Sequence, residues 1–343
     1  MRNHTERSVC VGLDYHARSV QVAILDEDGR EVANRSCRND IGEVAAVCAA
    51  HGRVRSVAIE ACCGASDFAH RLAETTGWST NLAHPGFVSR MKQSPDKSDR
   101  SDANVLADLG RVGYLPKVWL APAYIRELRM LDSLRDALVA DIKNRKLRVQ
   151  AVLREQRSFD PIVDARPWTR RWMTWLRDEA GLSDAGRFVV RMELHRLSEL
   201  RGALKEAEAR LEETTRGDRV VAALMEQRGV GKAIAWKLRA RVGRFGRFRT
   251  GKQLCRFCGL SPRNASSGQR QADSGLINAC DRPLRAMLLQ AGHTLRTHDV
   301  RWRAHAAGMA RRGKLGSVVA AAIANRWLRG LFHRMKELGM ENM

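Results

Sequence analysis

Val9-Cys10-Val11-Gly12-Leu13-Asp14 is a short apolar run that ends on an acid, and it reads as a buried strand delivering a carboxylate to its tip. A second β-like run, Ser19 to Leu25, follows it, and Asp26-Glu27-Asp28-Gly29 is turn chemistry. A third run continues from Arg30 toward Arg38. Together they predict an antiparallel meander with Asp14 on its first strand. Ser56-Val57-Ala58-Ile59 is another strand-like run, terminated in the same way by Glu60. Asp99 and Asp102 lie in Asp96-Lys97-Ser98-Asp99-Arg100-Ser101-Asp102-Ala103, ahead of a helical pattern from Val105 to Leu109. A spacing of three on a helix puts both carboxylates on one face, aimed at a common site.

These four acids stand in a chain of 343 residues with a formal charge of +22, a balance that draws it to phosphate backbones. Each acid has a plain structural reading. Asp14 alone suits a turn or cap, while Asp99 suits a helix N-cap with Asp102 favouring the helix dipole. Glu60 is harder to explain that way, because it precedes the small-residue stretch Ala61-Cys62-Cys63-Gly64-Ala65, which lets backbone or substrate approach closely. As a set, Asp14, Glu60, Asp99 and Asp102 favour metal ligation and cutting chemistry on nucleic acid. Hard cations such as Mg²⁺ take oxygen ligands and keep positions open for phosphate. Paired ions about 3.5–4 Å apart hold the attacking and leaving oxygens of a phosphoryl transfer.

A hydrophobic content of 44% is enough for real cores in two or three domains. No apolar run approaches the roughly 20 residues of a membrane span, so no membrane partner is expected. Met1-Arg2-Asn3-His4-Thr5-Glu6-Arg7 lacks the apolar core of a secretory signal, and a cytoplasmic location is expected. The eight cysteines show no disulfide-scaffold spacing, which makes reduced thiols the default. Cys255-x-x-Cys258 has no second paired motif and sits in an apolar, helical-looking run, which argues against zinc.

Charge is unevenly spread. Residues 1–50 hold six Lys/Arg against eight Asp/Glu, whereas residues 226–275 hold twelve Lys/Arg against Glu226 and Asp273. In the second stretch the cations interleave with Trp236, Phe245, Phe248, Phe257 and several glycines, which suits a phosphate-contacting surface. Three parts follow: residues 1–118 alternating strands and helices, residues 119–218 helical, and residues 219–343 mainly α. In the middle part Leu128, Leu131, Leu134 and Leu138 recur at helix spacing, and a second helix runs from Phe188 to Leu211. Trp168, Trp172 and Trp175 fit one helix face and read as packing, with stacking on unpaired bases as the rival reading. Long paired helices of this kind reach outward as a coiled-coil arm and dimerise. The third part opens with Gly229-Val230-Gly231 between helical stretches, similar to the hairpin of a helix-hairpin-helix whose amides contact phosphate. It continues into the hydroxyl-rich loop Ser261-Pro262-Arg263-Asn264-Ala265-Ser266-Ser267-Gly268, where nothing local activates a serine.

Taken in order, these fragments resemble the transposases of the IS110 type and the related invertase-like (Piv-like) site-specific recombinases over nearly the whole chain. The resemblance rests on Gly12-Leu13-Asp14, Glu60-Ala61-Cys62-Cys63-Gly64, Lys97-Ser98-Asp99-Arg100-Ser101-Asp102-Ala103, Phe248, Gly259-Leu260-Ser261-Pro262, Ser267-Gly268 and the basic stretch toward Leu284-Arg285. It implies a RuvC-like, RNase H-fold N-terminal domain with an acidic quartet at Asp14, Glu60, Asp99 and Asp102 holding Mg²⁺ or Mn²⁺. It also implies a C-terminal serine that bonds covalently to DNA, best matched by Ser267, with Ser266 its neighbour and Ser261 a weaker match. Donor and target DNA, a structured noncoding (bridge-type) guide RNA, and a homodimer or homotetramer in a bacterial cytoplasm complete the expectation. Tyr15-His16-Ala17-Arg18 and Ser98 depart from the usual family wording, and Gly268-Gln269-Arg270 lacks a second glycine. The chemistry so implied is attack by Ser267 on a phosphate polarised by Mg²⁺, conserving bond energy for rejoining.

Three other functions compete. The same metal core with water as nucleophile would make a RuvC-like nuclease or Holliday-junction resolvase. Gly12-Leu13-Asp14 with its hairpin also resembles the first phosphate loop of actin-like sugar kinases, but no second glycine-rich set follows and the basic third part would be surplus. A nucleic-acid-binding protein without catalysis, such as an RNA chaperone, would keep every activity when Asp14 or Glu60 is changed.

Overall fold

The structure, a computed structural model, describes residues 7–91, 98–159, 166–264, 273–340 and 343, and the chain divides into two compact units, Met1–Ala123 and Tyr124–Met343.

In the first unit β1 (Ser8–Tyr15), β2 (Ser19–Asp26) and β3 (Glu31–Arg38) form the expected antiparallel meander, with Asp14 opposite Gln21. The turn works because Gly29 adopts a left-handed φ of 85° and its N–H donates to the Asp26 carbonyl at 3.1 Å. After α1 (Ile41–Ala49), β4 (Arg53–Glu60) pairs parallel with β1. After α2 (Ala65–Thr76), β5 (Thr80–Ala83) pairs parallel with β4. Beyond α3 (Pro85–Met91) and α4 (Asp99–Arg111), the short β6 (Lys117–Val118) closes the edge antiparallel. The result is a mixed six-stranded sheet of order β3-β2-β1-β4-β5-β6.

Strand alternation sorts the two faces. Val9, Val11 and Leu13 of β1 join Val57 and Ile59 of β4 in a core with Val44, Phe68 and Leu72 from α1 and α2. The opposite face is built of small residues so that α4 can lie close. Ala23 packs with Ala103 and Ala107, Ala58 with Leu106, and Gly12 sits under the α4 backbone.

The second unit begins with α5 (Ala123–Glu155), α6 (Arg170–Asp178) and α7 (Asp184–Thr214). Arg135–Glu208 at 2.9 Å and Arg145–Glu193 at 3.1 Å tie α5 to α7 in antiparallel order. Trp172 and Trp175, only 4% and 6% exposed, pack with Val149, Leu153 and Val190. Trp168 departs from the helix-face reading: it precedes the cap Thr169, has φ 72°, and packs with its ring tilted against Trp172, centroids 4.8 Å apart. Then come α8 (Arg219–Met225), α9 (Lys232–Val242), a 3-10 turn Phe245–Arg247, α10 (Gly251–Phe257), the hairpin β7 (Pro262–Asn264) and β8 (Asp273–Leu276), α11 (Arg282–His298), α12 (Val300–Arg311) and α13 (Gly316–Glu337). Their core gathers Leu224, Trp236, Phe245, Leu254, Leu288, Leu328 and Phe332. α5 joins this core through Leu128 and through fully buried Lys237, whose ammonium lies 2.9 Å from Asp132 and 2.5 Å from Asp136.

Candidate active site

The period of two on β1 explains where Asp14 goes. Leu13 points to the α1/α2 core, so Asp14 faces the side of the sheet that carries α4. In β4, Ile59 faces α1 and α2 while Ala58 faces α4, which turns Glu60 to the α4 side as well. Leu13 is paired with Ile59 in the parallel register, so Asp14 and Glu60 are the next positions on neighbouring strands.

Helix α4 brings the other two acids. Ser98 is its N-cap and forms a reciprocal box with Ser101, the Ser101 N–H donating to Ser98 Oγ at 3.2 Å. Asp99 is therefore the first helical residue rather than the cap, and both Asp99 and Asp102 lie in the first turn where the dipole favours negative charge. Sequence reasoning missed the clamp that holds this turn to β3. Arg100 pairs with Glu31, Asn104 Nδ2 donates to Glu31 at 3.1 Å, and Asn34 Nδ2 donates to the Arg100 carbonyl at 3.1 Å. Ser98→Ala should cost about 1 kcal/mol of stability by removing the cap, read as a lower urea midpoint with an unchanged slope.

The side chains converge unequally. Asp14, His16 and Asp99 each offer a ligand atom, and these atoms all lie within 4.8 Å of one another. His16 Nε2 is 3.3 Å from an oxygen of Asp14 and 3.3 Å from one of Asp99. Burial pushes the Asp14 carboxyl above the usual carboxylate range; His16 draws it back, and the charges of Asp99 and Asp102 push it up again. Asp102 is buried and close enough for that repulsion but stands outside the three-donor group, as does Glu60. Burial pushes the Cys62 thiol up, the Ala65 N–H draws it back, and the charges of Glu60 and Asp14 add to the rise. Nearby, the left-handed Gly64 leaves room for the Tyr15 ring, since a Cβ there would lie 2.6 Å from its hydroxyl. Two hard carboxylates and an imidazole whose ligand atoms lie this close fit a divalent cation. His16 was passed over in the sequence as part of the departing segment Tyr15-His16-Ala17-Arg18. The signal was its position two residues beyond Asp14, on the same side of an extended chain.

The serines Ser266 and Ser267 fall between β7 and β8, outside the described residues. Ser261 is half-buried, and its carbonyl accepts the Ile277 N–H at 3.1 Å. Between α8 and α9, Gly229 takes a left-handed φ of 85°, Val230 is buried, and Gly231 caps α9 without a side-chain hydrogen bond. Cys255 and Cys258 are buried, and burial pushes the Cys255 thiol up to about 12.

The basic stretch 226–275 needs a correction. Lys237 is buried against Asp132 and Asp136, and Arg239 is buried with Asp218 at 2.7 Å. Trp236, Phe245 and Phe248 are core residues, so no base can stack on them. Exposed cations remain at Arg244, Arg249, Lys252, Arg256 and Arg263, and others extend the set on α11 to α13: Arg282, Arg301, Arg303, Arg326 and Arg329.

Comparison with known proteins bears on the family of this chain. A model of the IS110-type DEDD transposase matches residues 11–157, spanning all four acids, and a model of the IS116/IS110/IS902 transposase family matches residues 221–307. The chain y4qE of Sinorhizobium fredii, which carries a transposase name, is 25% identical over 74% of this chain and 69% of its own length. The transposase for insertion sequence element IS1111A of Coxiella burnetii is 25% identical over 84% of this chain and 78% of its own. A family 20 transposase, so named as probable, from Pseudomonas aeruginosa is 27% identical over 79% and 80%. With one family model spanning the acidic sheet domain and the other the helices beyond it, the chain belongs to the IS110 family of transposases, enzymes that cut and rejoin DNA.

Proposed function

We propose that this transposase works through a RuvC-like, RNase H-type domain, residues 1–118, in which Asp14, Glu60, Asp99 and Asp102 hold Mg²⁺ or Mn²⁺, and through Ser267 as the nucleophile. The observation that carries the reading is the arrival of acids from β1, β4 and α4 on one side of the mixed sheet, with Asp14 and Asp99 within reach of one ion. The bound ion supplies polarisation of the scissile phosphate and stabilises the charge that develops on it. Ser267 Oγ attacks phosphorus; the serine–phosphate bond forms as the bond to the departing strand breaks. The hydroxyl proton leaves to solvent, and the departing strand takes up a proton on its new hydroxyl. The phosphoserine keeps the bond energy for rejoining.

Residues 119–218 serve as a coiled-coil arm for a homodimer or homotetramer, a role supported by exposed Met130, Leu134 and Leu147 on α5 and Phe188 on α7. Residues 219–343 carry the serine and the helix-hairpin-helix-like turn at Gly229-Val230-Gly231, with exposed arginines for phosphate backbones. Target choice belongs to a structured guide RNA that pairs with donor and target DNA.

Expression of the gene with its flanking DNA, followed by amplification across the abutted element ends, tests this. Unaltered protein should give a circular junction, and Ser267→Ala should give none. A junction that survives Ser267→Ala moves the nucleophile to Ser266 or to water. Nicking without any junction would leave a plain nuclease and sink the recombinase reading.

A further inference from the structure

The imidazole between Asp14 and Asp99 is the group at this centre that the acidic signature does not account for. Its Nε2 stands 3.3 Å from one oxygen of each carboxylate. Two ligands held side by side on a small divalent ion, each at about 2.0–2.2 Å, are themselves roughly 3.0–3.4 Å apart. The spacing between imidazole and carboxylates is therefore the spacing of neighbouring ligands on one ion. The backbone that carries the ring is held at both its polar groups. The His16 N–H donates to the Ser19 carbonyl at 2.9 Å, and Asn39 Nδ2 donates to the His16 carbonyl at 2.8 Å. These bonds fix the Cα at the mouth of the β1–β2 turn. The side chain remains 46% exposed, so its outer side is open to water or to a phosphate oxygen.

We propose that His16 is a nitrogen ligand of the divalent cation held by Asp14 and Asp99, giving a mixed nitrogen–oxygen centre that prefers Mn²⁺ and Co²⁺ to Mg²⁺. The inference rests on the reading of Asp14 and Asp99 as metal ligands. Carboxylates and water suit Mg²⁺, whereas an imidazole contributes far more to transition-metal ions, whose affinities climb from Mn²⁺ to Co²⁺ along the common series. A nitrogen donor at this position makes metal choice a property of residue 16 as well as of the acids.

The test is direct metal binding to the full chain, with Mn²⁺, Co²⁺ and Mg²⁺ chlorides titrated separately in a calorimeter and the Co²⁺ complex also followed by its visible absorption. His16→Ala should weaken Mn²⁺ and Co²⁺ binding by about tenfold or more while moving Mg²⁺ by less than about threefold, and should shift the Co²⁺ band. His16→Gln, which keeps a polar side chain without the ring nitrogen, should behave the same way. Unchanged or tighter binding of all three ions to both variants would overturn the inference, because His16 would then be only a hydrogen-bonding neighbour of the two acids. Asp14→Asn separates the two claims. If it abolishes binding and the His16 variants do not, the acidic metal site stands and the histidine ligand falls. If it leaves binding intact, the metal site itself falls and takes the histidine with it. Far-UV circular dichroism of each variant shows that a lost site is not a lost fold.

Discussion

Asp14→Asn should abolish circular-junction formation, by roughly a thousandfold or more, the upper range for losing one electrostatic contact to a charge that develops in the transition state. The amide has the shape of the carboxylate and none of its charge. Asp14 follows Leu13, the register partner of Ile59 before Glu60, and offers a ligand atom within 4.8 Å of one on Asp99, so its loss removes a carboxylate from the shared group. Stability should move the other way. Burial, with Asp99 and Asp102 adding to it, holds the Asp14 carboxyl above the usual range. A carboxyl raised in this way lowers folded stability once it ionises, because the unfolded chain ionises it at less cost. At neutral pH with a chelator present, Asp14→Asn should therefore melt at the same temperature as the unaltered protein or higher. An inactive variant that is at least as stable marks a charge kept for chemistry. A variant that melts lower would mean that Asp14 is a structural partner of His16.

The parts of the first unit that are local in sequence were legible there. The meander was readable because alternation and the Asp-Glu-Asp-Gly turn are short-range signals; β3 begins at Glu31, one residue past the expected Arg30. That Asp14, Glu60 and the two acids of α4 share one side of the sheet follows from two periodicities, two on β1 and β4 and three to four on α4, although only Asp14 and Asp99 come close enough for one ion. Placing Asp99 and Asp102 on one helix face agrees with α4, whose cap is Ser98, one residue before the Asp99 cap that the sequence suggests. What escaped was long-range pairing. Lys237 looked like one more surface cation because its partners Asp132 and Asp136 are about a hundred residues away. Trp236 and Phe245 looked like an aromatic surface among cations until the helices around them closed into a core. His16 escaped for a subtler reason. Its place two residues beyond Asp14 is local, but its 3.3 Å contact with Asp99 on α4 joins residues over eighty positions apart.

Gly12→Ala should damage both stability and the site through one clash. Gly12 sits mid-strand in β1, where α4 crosses the sheet. A Cβ there would lie 2.0 Å from the Ala103 carbonyl oxygen and 2.4 Å from the Ala107 nitrogen. Both are helix backbone atoms, so no side-chain rotation relieves the contact, and α4 would have to shift outward by more than an ångström to reach ordinary contact. Overpacking a core typically costs 1–3 kcal/mol, and against rigid backbone the cost should be at or above the top of that range. The shift also has a chemical consequence. Asp14 lies two residues beyond Gly12, and Asp99 and Asp102 ride on α4, so moving the helix parts carboxylates that now lie within reach of one ion. Gly110→Ala, on the same helix, is the matched control. Its added methyl would meet Ala58 at 3.6 Å, an ordinary contact, and a helix interior favours alanine over glycine by up to about 1 kcal/mol. The urea midpoint should drop sharply for Gly12→Ala and hold or rise for Gly110→Ala, and Mn²⁺ affinity should fall only in the first. If Gly12→Ala kept its metal affinity while losing stability, the carboxylates of β1 and α4 would not be sharing an ion.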